Sequence, residues 1–241
     1  MRELRTPRRA RVVAGTIAVA ALAAASIGWM HTAGGRALLG RLGVPCPVNT
    51  VDARQVLAVR DDAIMRTRGD ALAPERPALG LKLDRSTEPQ VAQRMASARA
   101  HCDAIARGYR YLRCRGVAAD ALGVEGPPVS EIWFSFDPGG HLVAINLYRR
   151  GMDESQARQS WRGAVDGLQR ALGHPTTTTG DPSLVQLFSS PVAVARIQYA
   201  YADYVATVTA SRLPYGGLAV RELYMSAVTP RRLAPAPAPG A

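Results

Sequence analysis

The sequence predicts an α+β fold: an N-terminal transmembrane helix, then a two-layer sandwich with helices on one face of an antiparallel sheet. Three observations predict it. Val12–Met30 is an apolar run without a charge. Two later segments, one starting after Thr87 and one over Glu154–Leu172, carry apolar residues at helical spacing. Each is followed by stretches that alternate apolar with polar residues, the mark of strands with one buried face. The order reads as two α-β-β-β units, about 78–150 and 151–229, and neither helix could bury its apolar stripe without a sheet.

Val12–Met30 matches a helix crossing a hydrocarbon core of about 30 Å, since backbone in lipid must satisfy its own hydrogen bonds. Residues 1–11 form a basic tail with Arg2, Arg5, Arg8, Arg9 and Arg11, and only Arg36 and Arg41 follow the run closely. This bias places the N-terminus inside and the bulk of the chain across the inner membrane, in the periplasm or outside the cell. A cleaved signal peptide is the rival reading, with small residues at Ala21–Ala25. Against it, the apolar run continues through Ile27 to Met30, and Trp29 lies at the interfacial position.

The chain of 241 residues carries a net charge of +11 and is 47% hydrophobic, enough for one domain with a real core. Lys82 is the one lysine, so the basic residues are almost all Arg. They are scattered after residue 30, which argues against nucleic acid as a partner. A positive surface favours anionic envelope components.

Residues 31–50 are a Gly- and Pro-punctuated connector holding Cys46 between two prolines. Val56, Val59, Ala63 and Ile64 predict a helix over Val51–Arg68, with Asp61 and Asp62 on its solvated side. Ala78–Leu83 alternates and reads as a short strand. Thr87, Pro89 and Gln90 then supply a helix start, and Val91, Met95, Ala98 and Cys102 make its inward stripe. Tyr109–Cys114 reads as a strand with Leu112 and Cys114 inward and Tyr111 and Arg113 outward. Two inward cysteines, one ending the helix and one on the next strand, predict a Cys102–Cys114 disulfide, a staple worth up to about 3 kcal/mol.

Val129–Arg149 reads as a hairpin: Ile132, Phe134 and Phe136 alternate with Trp133 and Ser135, and Val143, Ile145 and Leu147 with Ala144 and Asn146. Asp137-Pro138-Gly139-Gly140 supplies the turn. Gly151 ends the strand, and Asp153 with Gln156 caps the helix Glu154–Leu172, in which Gly163 and Gly167 would allow close approach to a sheet. Thr176–Pro182 reads as a polar loop and Leu184–Phe188 as a short strand. Ala195–Ala202, Tyr204–Leu213 and Leu218–Ala227 are stronger strands, with the turn Pro214–Gly217 before the last. The Pro/Ala tail 230–241 reads as extended and disordered.

No catalytic, cofactor-binding or metal residue is nominated. His31, His101, His141 and His174 are far apart, and no HExxH, HxH or Cys/His zinc spacing occurs. A nucleophile elbow, a Gly-rich phosphate loop and an EF-hand run are also absent from the sequence. Asp203, flanked by Tyr201 and Tyr204, is the one acid that stands out, and a turn role suits it best. These absences lower the case for an enzyme, while a site assembled from distant residues stays open.

The run from Leu79-Gly80 through Ser86-Thr87 to Val91, followed by the hairpin Trp133–Phe136 and His141–Leu147, resembles the helix-plus-three-strand unit of the SmpA/OmlA and β-lactamase-inhibitor-protein group. The likeness covers roughly residues 78–150 and, more loosely, the second unit; the lipidation cysteine of the lipoprotein members is missing. The whole chain also resembles single-anchor extracytoplasmic proteins of unknown function from GC-rich bacteria. Either likeness implies a protein-binding or envelope-maintenance module and carries over no catalytic residue. The expected function is therefore a membrane-anchored, non-catalytic binding or scaffold module. It would engage a protein or envelope partner through the sheet face bearing Trp133, Tyr111 and Tyr148. A membrane-linked sensor or an enzyme is the alternative.

Overall fold

The computed structural model describes residues 53–107, 109–190, 193–213 and 217–228. The basic tail, the predicted membrane helix 12–30, the connector with Cys46, residues 214–216 of the expected turn and the tail 230–241 lie outside the described residues. Among the described residues no helix is long and apolar enough to cross a membrane.

Eight strands form a single antiparallel sheet. In chain order they are β1 (His101–Arg107), β2 (Tyr109–Val117), β3 (Val129–Phe136), β4 (Leu142–Met152), β5 (Thr177–Thr179), β6 (Val194–Ala200), β7 (Tyr204–Leu213) and β8 (Gly217–Ser226). Their spatial order is β1-β2-β3-β4-β8-β7-β6-β5. Each half is thus a four-strand meander, and the two meanders join along the β4–β8 seam. The expectation of three strands per unit is corrected to four.

The helices are α1 (Ala53–Thr67), α2 (Glu88–Ser97), α3 (Glu154–Leu172) and the short α4 (Val185–Ser189). Asp153 Oδ1 accepts from Gln156 N at 2.8 Å, and Gln156 Oε1 accepts from Asp153 N at 3.2 Å, closing the predicted capping box of α3. At α2 the Gln90 side chain accepts from the Thr87 N–H at 2.9 Å. The layer of α2, α3 and α4 covers one sheet face. Val91, Met95, Trp161, Leu168 and Leu187 pack there on Ile132, Phe134, Ile145, Val208 and Val220. α1 does not join that layer. Its Ile64 packs with Val205, Met225 and Ala227 at one corner of the opposite face. Val205 and Met225 sit at strand positions whose neighbours Tyr204, Ala206 and Tyr224 point into the main core.

Several expected elements are corrected. Ala78–Leu83 is a pair of turns, because Leu79 and Gly80 take left-handed backbone in succession (φ 56° and 72°), which reverses the chain and ends the extended run. The helix expected to reach Cys102 ends at Ser97; Arg99 turns left-handed (φ 54°) and the chain enters β1. Leu184–Phe188 is helical, because left-handed Leu184 (φ 65°) reverses the chain and Asp181 accepts from the Ser183 and Gln186 N–H groups to start a turn. Within the expected loop, Thr177–Thr179 pairs with β6 as an edge strand. Gly151 is a bulge inside β4, where the register with β8 shifts between Arg149 and Met152.

The predicted disulfide is present: Cys102 and Cys114 face each other in the β1–β2 register and their sulfurs are bonded. Its setting differs from the expectation, since both cysteines are on strands.

Candidate functional site

Period-two alternation decides which residues stand on the uncovered face. On β2, Leu112 and Cys114 are buried, so Tyr111 and Arg113 face the other way. The register then sets Arg113 opposite Trp133, Trp133 opposite Asn146, and Tyr148 opposite both Glu131 and Arg221. The three aromatic residues expected to meet a partner, Tyr111, Trp133 and Tyr148, therefore share one face across three adjacent strands. Each is half-buried.

Arginines organise these rings. The edge of Tyr111 meets Trp133 with ring centroids 6.0 Å apart and planes at 82°. Arg113 lies over Trp133 at 5.1 Å. Arg150 and Arg221 lie 5.0 and 5.5 Å from the Tyr148 ring. Arg221 is held by two hydrogen bonds to Asn146 Oδ1, at 3.1 Å from Nε and 2.6 Å from Nη2.

Glu131 sits beneath this lattice, only 6% exposed. Its Oε1 accepts from Arg113 Nε and from Trp133 Nε1, the latter at 2.7 Å, and Arg150 Nη1 lies 3.4 Å from Oε2. Burial pushes the Glu131 carboxyl up. The hydrogen bonds from Arg113 and Trp133 and the two guanidinium charges outweigh it and hold the carboxyl below its ordinary value. Burial raises the Tyr111 phenol. The arginines and Glu131 were not nominated beforehand. Their signal was present in the spacing: Tyr111-x-Arg113, Glu131-x-Trp133 and Tyr148-x-Arg150 each put two functional side chains on one strand face.

The remaining candidates are dispersed. His101 lies 3.6 Å from Asp103 on β1, His141 lies 3.5 Å from Asp137 in the β3–β4 turn, and exposed His174 follows α3. Among the described residues no three His, Cys, Asp or Glu side chains stand together as a metal site. Asp203 is a turn residue that ties down the segment before α2. Its Oδ1 accepts from Ala73 N at 2.9 Å, and Arg76 Nε lies 3.8 Å from Oδ2.

On the helix-covered side a cleft of about 550 Å³ opens between the turn at Leu79-Gly80, the Leu122–Glu125 turn and α3. Its floor is the β4–β8 seam, where Arg149 Nη1 donates to Glu222 Oε1 at 2.5 Å and the Tyr224 hydroxyl donates to Glu222 Oε2 at 2.5 Å. Arg149 also donates to the carbonyls of Pro127 and Glu125, both at 3.2 Å. Burial, and then the Glu222 charge, push the Tyr224 phenol well up, so it stays a donor.

The fold and site define an α+β protein with an eight-stranded antiparallel sheet and an arginine–aromatic lattice on its uncovered face. No family model, no curated protein and no solved structure matches the chain.

Proposed function

We propose that this chain is a membrane-anchored, extracytoplasmic binding module that docks an acidic protein partner on the open face of its sheet. The observation that carries the reading is the lattice of Tyr111, Trp133 and Tyr148 interleaved with Arg113, Arg150 and Arg221. Trp, Tyr and Arg dominate binding hot spots in protein interfaces. Here the rings and guanidinium groups already hold one another in place, so little side-chain entropy is lost on docking. The face carries Arg113, Arg115, Arg150, Arg196 and Arg221 against Asp103 and Glu131, which favours an acidic counterpart. The charge-free run Val12–Met30 behind five arginines supports the anchor and its orientation. The likeness to the SmpA/OmlA and β-lactamase-inhibitor-protein group belongs to the same proposal.

The test is site-specific photocrosslinking of the full-length protein in its own envelope. A photoreactive residue at Tyr111 or Tyr148 should capture one acidic protein, and Arg221→Glu should abolish that adduct. The same residue at Arg162 on α3 should capture nothing comparable. Equal capture from both faces, or adducts to lipid alone, would overturn the reading.

A further inference from the structure

We infer that the cleft over the β4–β8 seam is a binding site for a small organic carboxylate with an apolar body. It lies on the opposite face of the sheet from the arginine–aromatic lattice and stands independently of the docking proposal.

The first reason is that the wall of α3 is bare. Gly163 and Gly167 are one helical turn apart and line the cleft. They do not bring the helix close to the sheet, as their spacing suggested. A Cβ on Gly167 would meet nothing within 4 Å, and one on Gly163 would meet only Glu125 Cβ at 3.9 Å. Glycine is among the least favourable residues in a helix interior, and no packing here requires it. What the two glycines leave is space, and the resulting volume of about 550 Å³ falls within the range of small-molecule sites.

The second reason is an uncompensated charge. Arg94 projects into the cleft over Gly80, where an added Cβ would lie 3.0 Å from Arg94 Nη1. It is half-buried, and no hydrogen bond or ion pair reaches its side chain from the described residues. Glu125, Asp166 and Arg170 also line the cleft but are exposed at its mouth, where water screens them. On the floor, Arg149 and Glu222 neutralise each other. The interior therefore holds one guanidinium without a counter-ion, a group that recognises carboxylates through paired N–H bonds. Leu79, Leu122, Val124 and Leu168 provide the apolar wall for the rest of the ligand.

The proposal is tested by ligand-observed fluorine NMR on the full-length protein in nanodiscs, with empty nanodiscs as the blank. The probes are para-trifluoromethylbenzoate and its neutral benzamide. The wild type should bind benzoate saturably, about tenfold more tightly than benzamide. Arg94→Gln should weaken benzoate about tenfold and leave benzamide unchanged. Gly167→Leu, which fills the open space and removes a helix glycine, should abolish both. Trp133→Ala, on the other face, should change neither. The inference is overturned if millimolar benzoate shows no saturable binding, if Gly167→Leu binds like wild type, or if Trp133→Ala removes binding.

Discussion

Arg149 and Glu222 form an ion pair across the β4–β8 seam with side chains only 1% and 2% exposed. It joins the two four-strand halves of the sheet at the one place where they meet. Burying two charges costs several kcal/mol per ion before their attraction is counted, and here the remaining donors and acceptors are met by Tyr224 and by the Glu125 and Pro127 carbonyls. Removing one partner strands the other. Glu222→Leu alone should lower the unfolding free energy by about 3–5 kcal/mol. Arg149→Met with Glu222→Leu should recover most of that loss. Chemical denaturation of the three proteins checks both statements, and a double variant as weak as the single would contradict them.

Glu131 makes stability pH-dependent on the open face. Its folded-state carboxyl lies below the ordinary value, so its contribution is complete above the unfolded value of about 4.3 and is lost as pH falls through the folded value. Glu131→Gln should therefore show its largest deficit in melting temperature at neutral pH, shrinking toward zero in stronger acid. A deficit that stays constant from neutrality into that range would disprove the assignment.

The Cys102–Cys114 bridge links β1, an edge strand, to β2 with a sequence separation of 12. Closing a loop of that size is worth roughly 3 kcal/mol. The double variant Cys102→Ala/Cys114→Ala should lose about that much, and reductant should destabilise the wild type but not the variant. Hydrogen exchange should place the loosening first in β1, because its other edge has no strand partner among the described residues.

Gly167→Ala separates two readings of the α3 glycines. If the glycine allowed tight packing, a methyl group would clash and destabilise. Nothing stands within 4 Å of the added Cβ, so the substitution should instead stabilise by about 0.5–1 kcal/mol through helix propensity. Thermal denaturation gives the sign directly.

The strongest periodic segments were legible from end to end. Glu154–Leu172 has an apolar stripe, a capping box and a terminal Gly173, and it folds as the helix those features dictate. Tyr204–Leu213 and the Val129–Arg149 part of the hairpin follow the same logic, although β4 runs on past Gly151 to Met152. Three of the misread elements share one cause. Leu79, Arg99 and Leu184 all adopt left-handed backbone without being glycine. Such residues carry no warning in sequence, because the conformation is imposed by the packing around them and is unfavourable on its own. The turn at Leu79 erased an expected strand, the turn at Arg99 released β1 from an expected helix, and Leu184 began α4 where a strand was expected.

The candidate site divides in the same way. Alternation along each strand was enough to set Tyr111, Trp133 and Tyr148 away from the core, because side-chain direction in a strand is a local property. That Arg150 of β4 and Arg221 of β8 flank one tyrosine depends on the β4–β8 register. It joins residues far apart in the chain and follows from no local pattern. The cleft is more dependent still: Arg94, Gly167 and Glu222 come from three separate elements. Local periodicity thus determined the three longer helices, most strands and the polarity of their faces, since these arise from backbone geometry a few residues at a time. Tertiary packing alone decided strand order, the seam between the halves and the space left open above it, since these depend on which distant surfaces bury one another.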